Sequence, residues 1–316
     1  MSIETLLDEI NLLKATLDLA PKLNIGEQKR IREHFAVEYT YNSNAIEGNT
    51  LSLRETALVV LEGLTIDKKP IKDHLEAIGH KQAFDYVLSI SGISEKLSEQ
   101  TIKEIHALVL MNDPQNKGKY RDLPVKISGA LDVPPHPSEI PEKMRSLVAA
   151  YGLDKRHPIV RIAEFHMAFE RIHPFIDGNG RTGRLIMNLE LIKSGYCPVD
   201  VKYADRGLYI DCFRDFEETG NTERFVEMIA KYELSELSKQ IELTNCKDAI
   251  VSEKCLSKNH WKQAINDNRG GDTIEIIKSG ESIILKPTHG IEWYLQDYER
   301  PDGGWEHLEP KGREEW

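Results

Sequence analysis

The sequence predicts a mainly α-helical protein: a helical bundle interrupted by one short β-hairpin and followed by a small C-terminal α/β appendage. Three observations carry this expectation. From residue 3 to about residue 240, apolar side chains recur at three- and four-residue steps, the period that gives a helix one buried face. A single stretch, "LPVKISGALDVPPHP" from Leu123, breaks that rhythm, with Val125 and Ile127 alternating with Lys126 and Ser128. After about residue 247 the texture changes, and "DTIEIIKSGESIILKP" reads as two strands about Ser279-Gly280.

The elements follow in order. Residues 3–19 place Ile3, Leu6, Leu7, Ile10, Leu13 and Leu17 on one face, and Pro21 and Gly26 then interrupt the helix. A second helix is expected from Glu27 to about Tyr41. "SLRETALVVLEGL" opens a third, with Ser52 as N-cap and Glu55 closing a capping box. "KDHLEAIGHKQAFDYVLSI" and "SEQTIKEIHALVL" read as two more, the latter capped by Ser98. Beyond the hairpin, "EKMRSLVAAYGL", "IVRIAEFHMAFERI", "GRLIMNLELIKSG", "RGLYIDCFRDFEETG" and "TERFVEMIAKYELSELSKQIE" complete the bundle. "HWKQAI" reads as the end of a short helix in the appendage. The expected division is a helical region at 1–100, a core at 101–247 and a small module at 248–316.

Composition narrows the function. The chain has 316 residues, 40% of them hydrophobic, and a formal net charge of -11, so no global positive field draws in nucleic acid or anionic lipid. Residues 248–316 hold 9 Lys plus Arg against 14 Asp plus Glu, which speaks against DNA binding there. Cys197, Cys212, Cys246 and Cys255 are irregularly spaced with no C-x-x-C pair, as expected of reduced packing thiols. "MSIETLLDEINLLKATLDLA" lacks the pattern of a secretory signal, and no apolar run approaches the ~20 residues that span a bilayer. A cytoplasmic protein without a membrane partner is expected.

"HPFIDGNGRTGR", His173 to Arg184, carries Gly178, Gly180 and Gly183 at G-x-G-x-x-G spacing. A dinucleotide fingerprint needs a buried strand before its glycines. Here Ile159, Ile162, Ala163, His166, Phe169 and Ile172 follow helical steps, and Pro174 ends a helix. A Walker-type phosphate loop fails as well, because Arg184 and Leu185 stand where its lysine and hydroxyl residue belong. A helix, a glycine loop and a second helix remain, an arrangement whose free N–H groups nest an anion. Arg181 and Arg184 add two charge-assisted clamps, Asp177 offers a hard oxygen to Mg²⁺, and His173 takes a proton near neutral pH. These are parts for a nucleotide-dependent transfer to a hydroxyl. A metallohydrolase built on His166, Glu170 and His173 lacks the H-E-x-x-H order, and His157 and His166 read as cap or core histidines.

The stretch matches every fixed position of H-x-F-x-[DE]-G-N-G-R-x-x-R, and the chain therefore resembles Fic-domain proteins, in texture from about residue 38 to 235. That resemblance implies a Fic-type helical bundle that transfers AMP from ATP to a Ser, Thr or Tyr hydroxyl of a target protein. It implies His173 as the base, Asp177 as the Mg²⁺ ligand, Gly178, Asn179 and Gly180 as the anion cradle, Arg181 and Arg184 as phosphate grips, and Phe175 as the loop's anchor. The hairpin through Val125, Lys126, Ile127 and Ser128 resembles the flap that receives a target by strand addition. Tyr209 reads as a core tyrosine or a neighbour of the adenine. "SNAIEG" satisfies [ST]-x-x-x-E-[GN], the inhibitory motif of self-regulated Fic proteins, through Ser43, Glu47 and Gly48. By that resemblance Glu47 pairs with Arg184 and takes the partner of the ATP γ-phosphate, and the same carboxylate could position a water that removes AMP. Phosphoryl or phosphocholine transfer would keep the same loop. The alternative is a regulatory module that senses nucleotide in this pocket, and a homo-oligomer is compatible with either reading.

Overall fold

The computed structural model describes residues 2–126 and 133–244, together with the backbone of three short strands beyond them. Helix α1, Ile3–Leu19, starts at Ser2, whose hydroxyl accepts from the Thr5 N–H. Helix α2, Ile25–Ile46, starts at an Asn24–Glu27 capping box, and α3, Leu53–Glu62, at the Ser52–Glu55 box. Helix α4 is Ile71–Ile90, and α5, Glu99–Val109, begins where the Ser98 hydroxyl accepts from the Thr101 N–H. Helices α6, Ile140–Leu153, α7, Pro158–Ile172, α8, Asn179–Lys193, α9, Arg206–Thr219, and α10, Glu223–Leu243, complete the series. Among the described residues no helix is long and apolar enough to cross a membrane.

The bundle is built around α8, which packs against α2, α4, α5 and α7. In its second half Leu185, Ile186, Met187, Leu189 and Leu191 are all buried, and so is Asn188, whose amide pairs with the Val199 backbone. Its first half is equally buried but polar: Asn179, Arg181, Thr182 and Arg184. A buried charge is tolerated only with partners around it. The partners supplied to this helix end define the site.

One expectation is corrected. Helix α2 does not stop near Tyr41 but continues to Ile46, so Ser43 lies in its last turn and Glu47 is its C-cap. "TYNSNA" has poor helix propensity, yet tertiary contacts override it. Thr40, Asn42, Ser43 and Asn44 are all buried. Thr40 hydrogen-bonds His80 at 3.2 Å, and Asn42 donates to Asp200 at 2.7 Å. Ser43 accepts from Arg184 at 3.0 Å. The expected hairpin is not confirmed: Val125 and Lys126 lie in irregular chain, while Ile127 and Ser128 fall outside the described residues. Pro124 removes a backbone donor there, and Arg121 pins the neighbouring chain by donating to the carbonyls of Leu123, at 3.0 Å, and Pro135, at 2.7 Å.

The chain divides into two compact units, Met1–Gln240 and Ile241–Trp316. In the second, β1, Ile250–Ser252, β2, Ile274–Ser279, and β3, Ser282–Pro287, form an antiparallel sheet in the order β1-β3-β2. Ser279 faces Ser282, so the hairpin expected about Ser279-Gly280 forms. The short helix expected at "HWKQAI" lies outside the described residues.

Candidate active site

Helix α7 ends at His173, whose φ of 49° is left-handed and strained for a residue with a Cβ. The buried Arg121 holds that turn in place. Its Nε donates to the His173 carbonyl at 2.8 Å and its N–H to the Pro174 carbonyl at 2.9 Å. Phe175, fully buried, then stacks on His106 with ring centroids 3.6 Å apart. His106 Nδ1 accepts from the Gly118 N–H at 2.9 Å, so its proton sits on Nε2, which donates to the Asp177 carbonyl at 2.9 Å. Burial pushes His106 down to about 4 and keeps it neutral. Asn179 clasps the loop from inside: its Oδ1 accepts from the Phe175 N–H and its Nδ2 donates to the Phe175 carbonyl, each at 2.9 Å. Phe175 thus sits in the core beneath the loop. The Asn179 side chain belongs to the loop's framework, which leaves only its backbone N–H for an anion.

Gly178, with φ of 77°, turns the chain into α8. The N–H groups of the first helical turn have no intrahelical acceptor, and the helix dipole adds positive potential there. Asp177 Oδ1 accepts from the Gly178 N–H at 2.6 Å and from Arg181 Nη2 at 3.2 Å, while the carboxylate remains half exposed. Arg181 is buried and also pairs with Glu76 of α4 at 3.1 Å. Arg184, 1% exposed, is gripped from three sides. Its Nε donates to Ser43 Oγ at 3.0 Å, and its Nη2 to the Ser43 carbonyl and to Glu47 Oε1, both at 2.8 Å. Its Nη1 donates to the Tyr209 hydroxyl at 3.3 Å. That hydroxyl shares a 2.8 Å hydrogen bond with His166 Nε2, which places Tyr209 as a core residue.

Glu47 is the C-cap of α2, and the left-handed Gly48 follows, with φ of 93°. Its carboxylate lies directly over Gly180. A Cβ on Gly180 would collide with Glu47 Oε1 and come within 3.1 Å of Arg184 Nη1. Gly180 is therefore the point where an anion reaches the backbone, and here the anion is a carboxylate. His173 is held below its ordinary value by burial, with Arg121 adding to the effect and a contact to the Glu170 carbonyl opposing it. Its Nδ1 lies 3.3 Å from that carbonyl, which can only accept, so Nδ1 carries the hydrogen and Nε2 the lone pair. A neutral imidazole with Nε2 unprotonated is the form that takes a proton.

The structure thus gathers His173, Phe175, Asp177, Gly178, Asn179, Gly180, Arg181 and Arg184 with Ser43, Glu47 and Gly48 about one helix start. Sequence reasoning missed Arg121, His106 and Glu76 as members, and weighed Glu170 only in a metallohydrolase set with His166 and His173. Glu170 sits one helical turn before His173, a spacing legible in the chain, whereas Arg121 and His106 lie 52 and 71 residues from their partners. Among the described residues no group of three His, Cys, Asp or Glu side chains could hold a metal. A single half-exposed carboxylate such as Asp177 does suit Mg²⁺, which takes its remaining ligands from water and phosphate.

The Fic/DOC family model matches residues 96–191. The protein adenylyltransferase Fic of Nematostella vectensis is 33% identical over 233 residues, 72% of this chain and 54% of that protein. The one from Aedes aegypti is 33% identical over 207 residues, 64% of this chain and 41% of that protein. This chain therefore spans about half the length of these curated relatives. Among solved structures, a Fic domain containing signaling protein from Bacteroides thetaiotaomicron superposes with a TM-score of 0.70 at 27% identity, covering 75% of this chain and 97% of that one. A segment of Fic-1 from C. elegans gives a TM-score of 0.68 at 30% identity, covering 76% and 72%. With the glycine loop, its histidine and the helical bundle in place, the chain belongs to the Fic/DOC family.

Proposed function

We propose that this chain is a protein adenylyltransferase that transfers AMP from ATP to a Ser, Thr or Tyr hydroxyl of a target protein, and that Glu47 holds it in check. One observation carries the reading: the anion-binding start of α8 already holds an anion, the Glu47 carboxylate against Gly180 and Arg184. The printed names of the Nematostella and Aedes relatives support the same activity.

In the transfer, His173 Nε2 takes the proton of the target hydroxyl. The oxygen keeps the bonding pair and attacks the α-phosphorus, and pyrophosphate leaves. The N–H groups at Asn179 and Gly180 and the Arg184 guanidinium face the phosphates, fixed in place before reaction. Asp177 would hold Mg²⁺, which neutralises phosphate charge when bound. Arg181, paired with Glu76 and Asp177, orients Asp177 and adds positive potential behind the loop. Glu47 inhibits because its carboxylate occupies Arg184 Nη2, leaving the phosphate chain misplaced, and a misplacement of ~1 Å costs on the order of 100-fold in rate.

The test incubates wild type, Glu47→Gly and His173→Ala in the Glu47→Gly background with Mg²⁺ and ATP labelled at the α-phosphate. Label on protein should rise ten- to a hundredfold, roughly, in Glu47→Gly and vanish without His173. A folded, ATP-binding Glu47→Gly chain that labels no better than wild type would remove the brake. Absence of any label would favour the nucleotide-sensing module instead.

A further inference from the structure

Glu170 has no part in the transfer described above, yet it is the acid nearest the base. Its carboxyl Oε2 lies 4.0 Å from His173 Nδ1, and its side chain is only 12% exposed. Its other oxygen, Oε1, has no hydrogen-bond partner. That oxygen packs against Gly183, where a Cβ would come within 2.5 Å of it and within 2.8 Å of the His166 ring. The third glycine of the loop thus makes room for an acid and an imidazole, not for phosphate. A buried carboxyl with an unused oxygen needs a reason, because burial without partners is unfavourable.

We propose that Glu170 is the positioning residue of His173: its backbone carbonyl holds the Nδ1–H, and its carboxyl, 4.0 Å from Nδ1, steadies the positive charge gained when Nε2 takes the hydroxyl proton. The inference rests on His173 acting as the base. Its proton accounting is simple: the O–H bond of the target breaks, the Nε2–H bond forms, and Nδ1–H stays on the Glu170 backbone carbonyl while the Glu170 carboxyl takes no proton. The charged and titratable groups facing the pair are Glu47 from the end of α2, Arg184 from α8, Tyr209 from α9, Arg121, Asp177, and His166 on the same helix. Burial first, and the Glu47 charge second, push the Glu170 carboxyl up to about 8 against the pull of Arg184.

The experiment uses Glu47→Gly as parent and adds Glu170→Gln or Glu170→Asp, with folding checked by thermal unfolding. The His173 ring is titrated by ¹⁵N NMR without nucleotide, and kcat and KM for ATP are measured across pH. Glu170→Gln removes a carboxylate beside an imidazolium, so the His173 midpoint and the acid limb of kcat should both move to lower pH. Its kcat should fall about tenfold with KM for ATP unchanged. Glu170→Asp should retain part of both effects, and its titration decides the matter if the Gln variant does not fold. An unmoved His173 midpoint, or a loss confined to KM, overturns the proposal. Labelling by the parent that depends on His173 tests the transfer separately, so the two failures remain distinguishable.

Discussion

Gly178, Gly180 and Gly183 look alike in the sequence but answer three different requirements. Gly178 supplies a left-handed turn, Gly180 lets an anion touch the backbone, and Gly183 admits the Glu170 carboxyl beside the His166 ring. The distinction yields a prediction at this scale. Gly180→Ala should dislodge the Glu47 carboxylate and yet not activate, because the new methyl fills the place a phosphate oxygen needs. Its labelling should stay at or below wild type while Glu47→Gly exceeds it, and its ATP affinity by calorimetry should fall. Activation by Gly180→Ala would mean that the cradle does not serve phosphate. None of the three roles was legible from spacing alone, since each depends on what another element places over the glycine.

Helix starts were legible and one helix end was not. The caps at Ser52 and Ser98 use side chains three residues from their acceptors or donors, so their whole mechanism lies within one turn of sequence. Ser52→Ala should accordingly destabilise the chain by about 1 kcal/mol, read as a lower urea midpoint at unchanged slope. A wild-type midpoint would show that the α3 start is fixed by its neighbours instead. Those neighbours are close: Thr50 donates to Asp73 at 2.9 Å through its N–H, and Asn49 donates to Glu76 at 3.0 Å. Glu76 in turn pairs with Arg181, so α4 ties the segment after Gly48 to the loop that opens α8. The last turn of α2 escaped a propensity argument because Thr40, Ser43 and Asn42 find partners on α4, α8 and the chain near Asp200.

Across the whole bundle, buried titratable groups set how stability depends on pH. Glu233 of α10 is fully buried, with Oε1 accepting from the Cys197 N–H at 2.8 Å. Burial, with Glu236 adding to it, pushes Glu233 up from 4.5 to about 8, against the hydrogen bond from Cys197. Glu170 behaves alike. Both hold their protons longer folded than unfolded, so their stability is full below about pH 4.5 and is lost as pH rises through about 8. His106 and His166, lowered by burial to about 4 and about 3, act oppositely: the unfolded chain binds their protons first, and stability falls as pH drops below 6.5. Between about pH 6.5 and 8 the two carboxyls act without the histidines, and Tm should decline across that window. Glu233→Gln keeps the acceptor for Cys197 and should flatten the decline. An unchanged slope would remove Glu233 as a source of it.

Sequence by itself determined the helical bundle, the starts of its helices and which residues stand together in the loop from His173 to Arg184. Periodicity and caps act within four residues, and the loop's residues are neighbours along the chain. The pairing of Glu47 with Arg184, 137 residues away, was reachable only through the family's motif. Tertiary structure alone decided that α2 runs on to Ile46, that Asn179 clasps its own loop, that Arg181 turns inward to Glu76 and Asp177, and that Glu170 stands behind His173. The physical reason is that a buried charge takes its position from its partners, and those partners come from other helices.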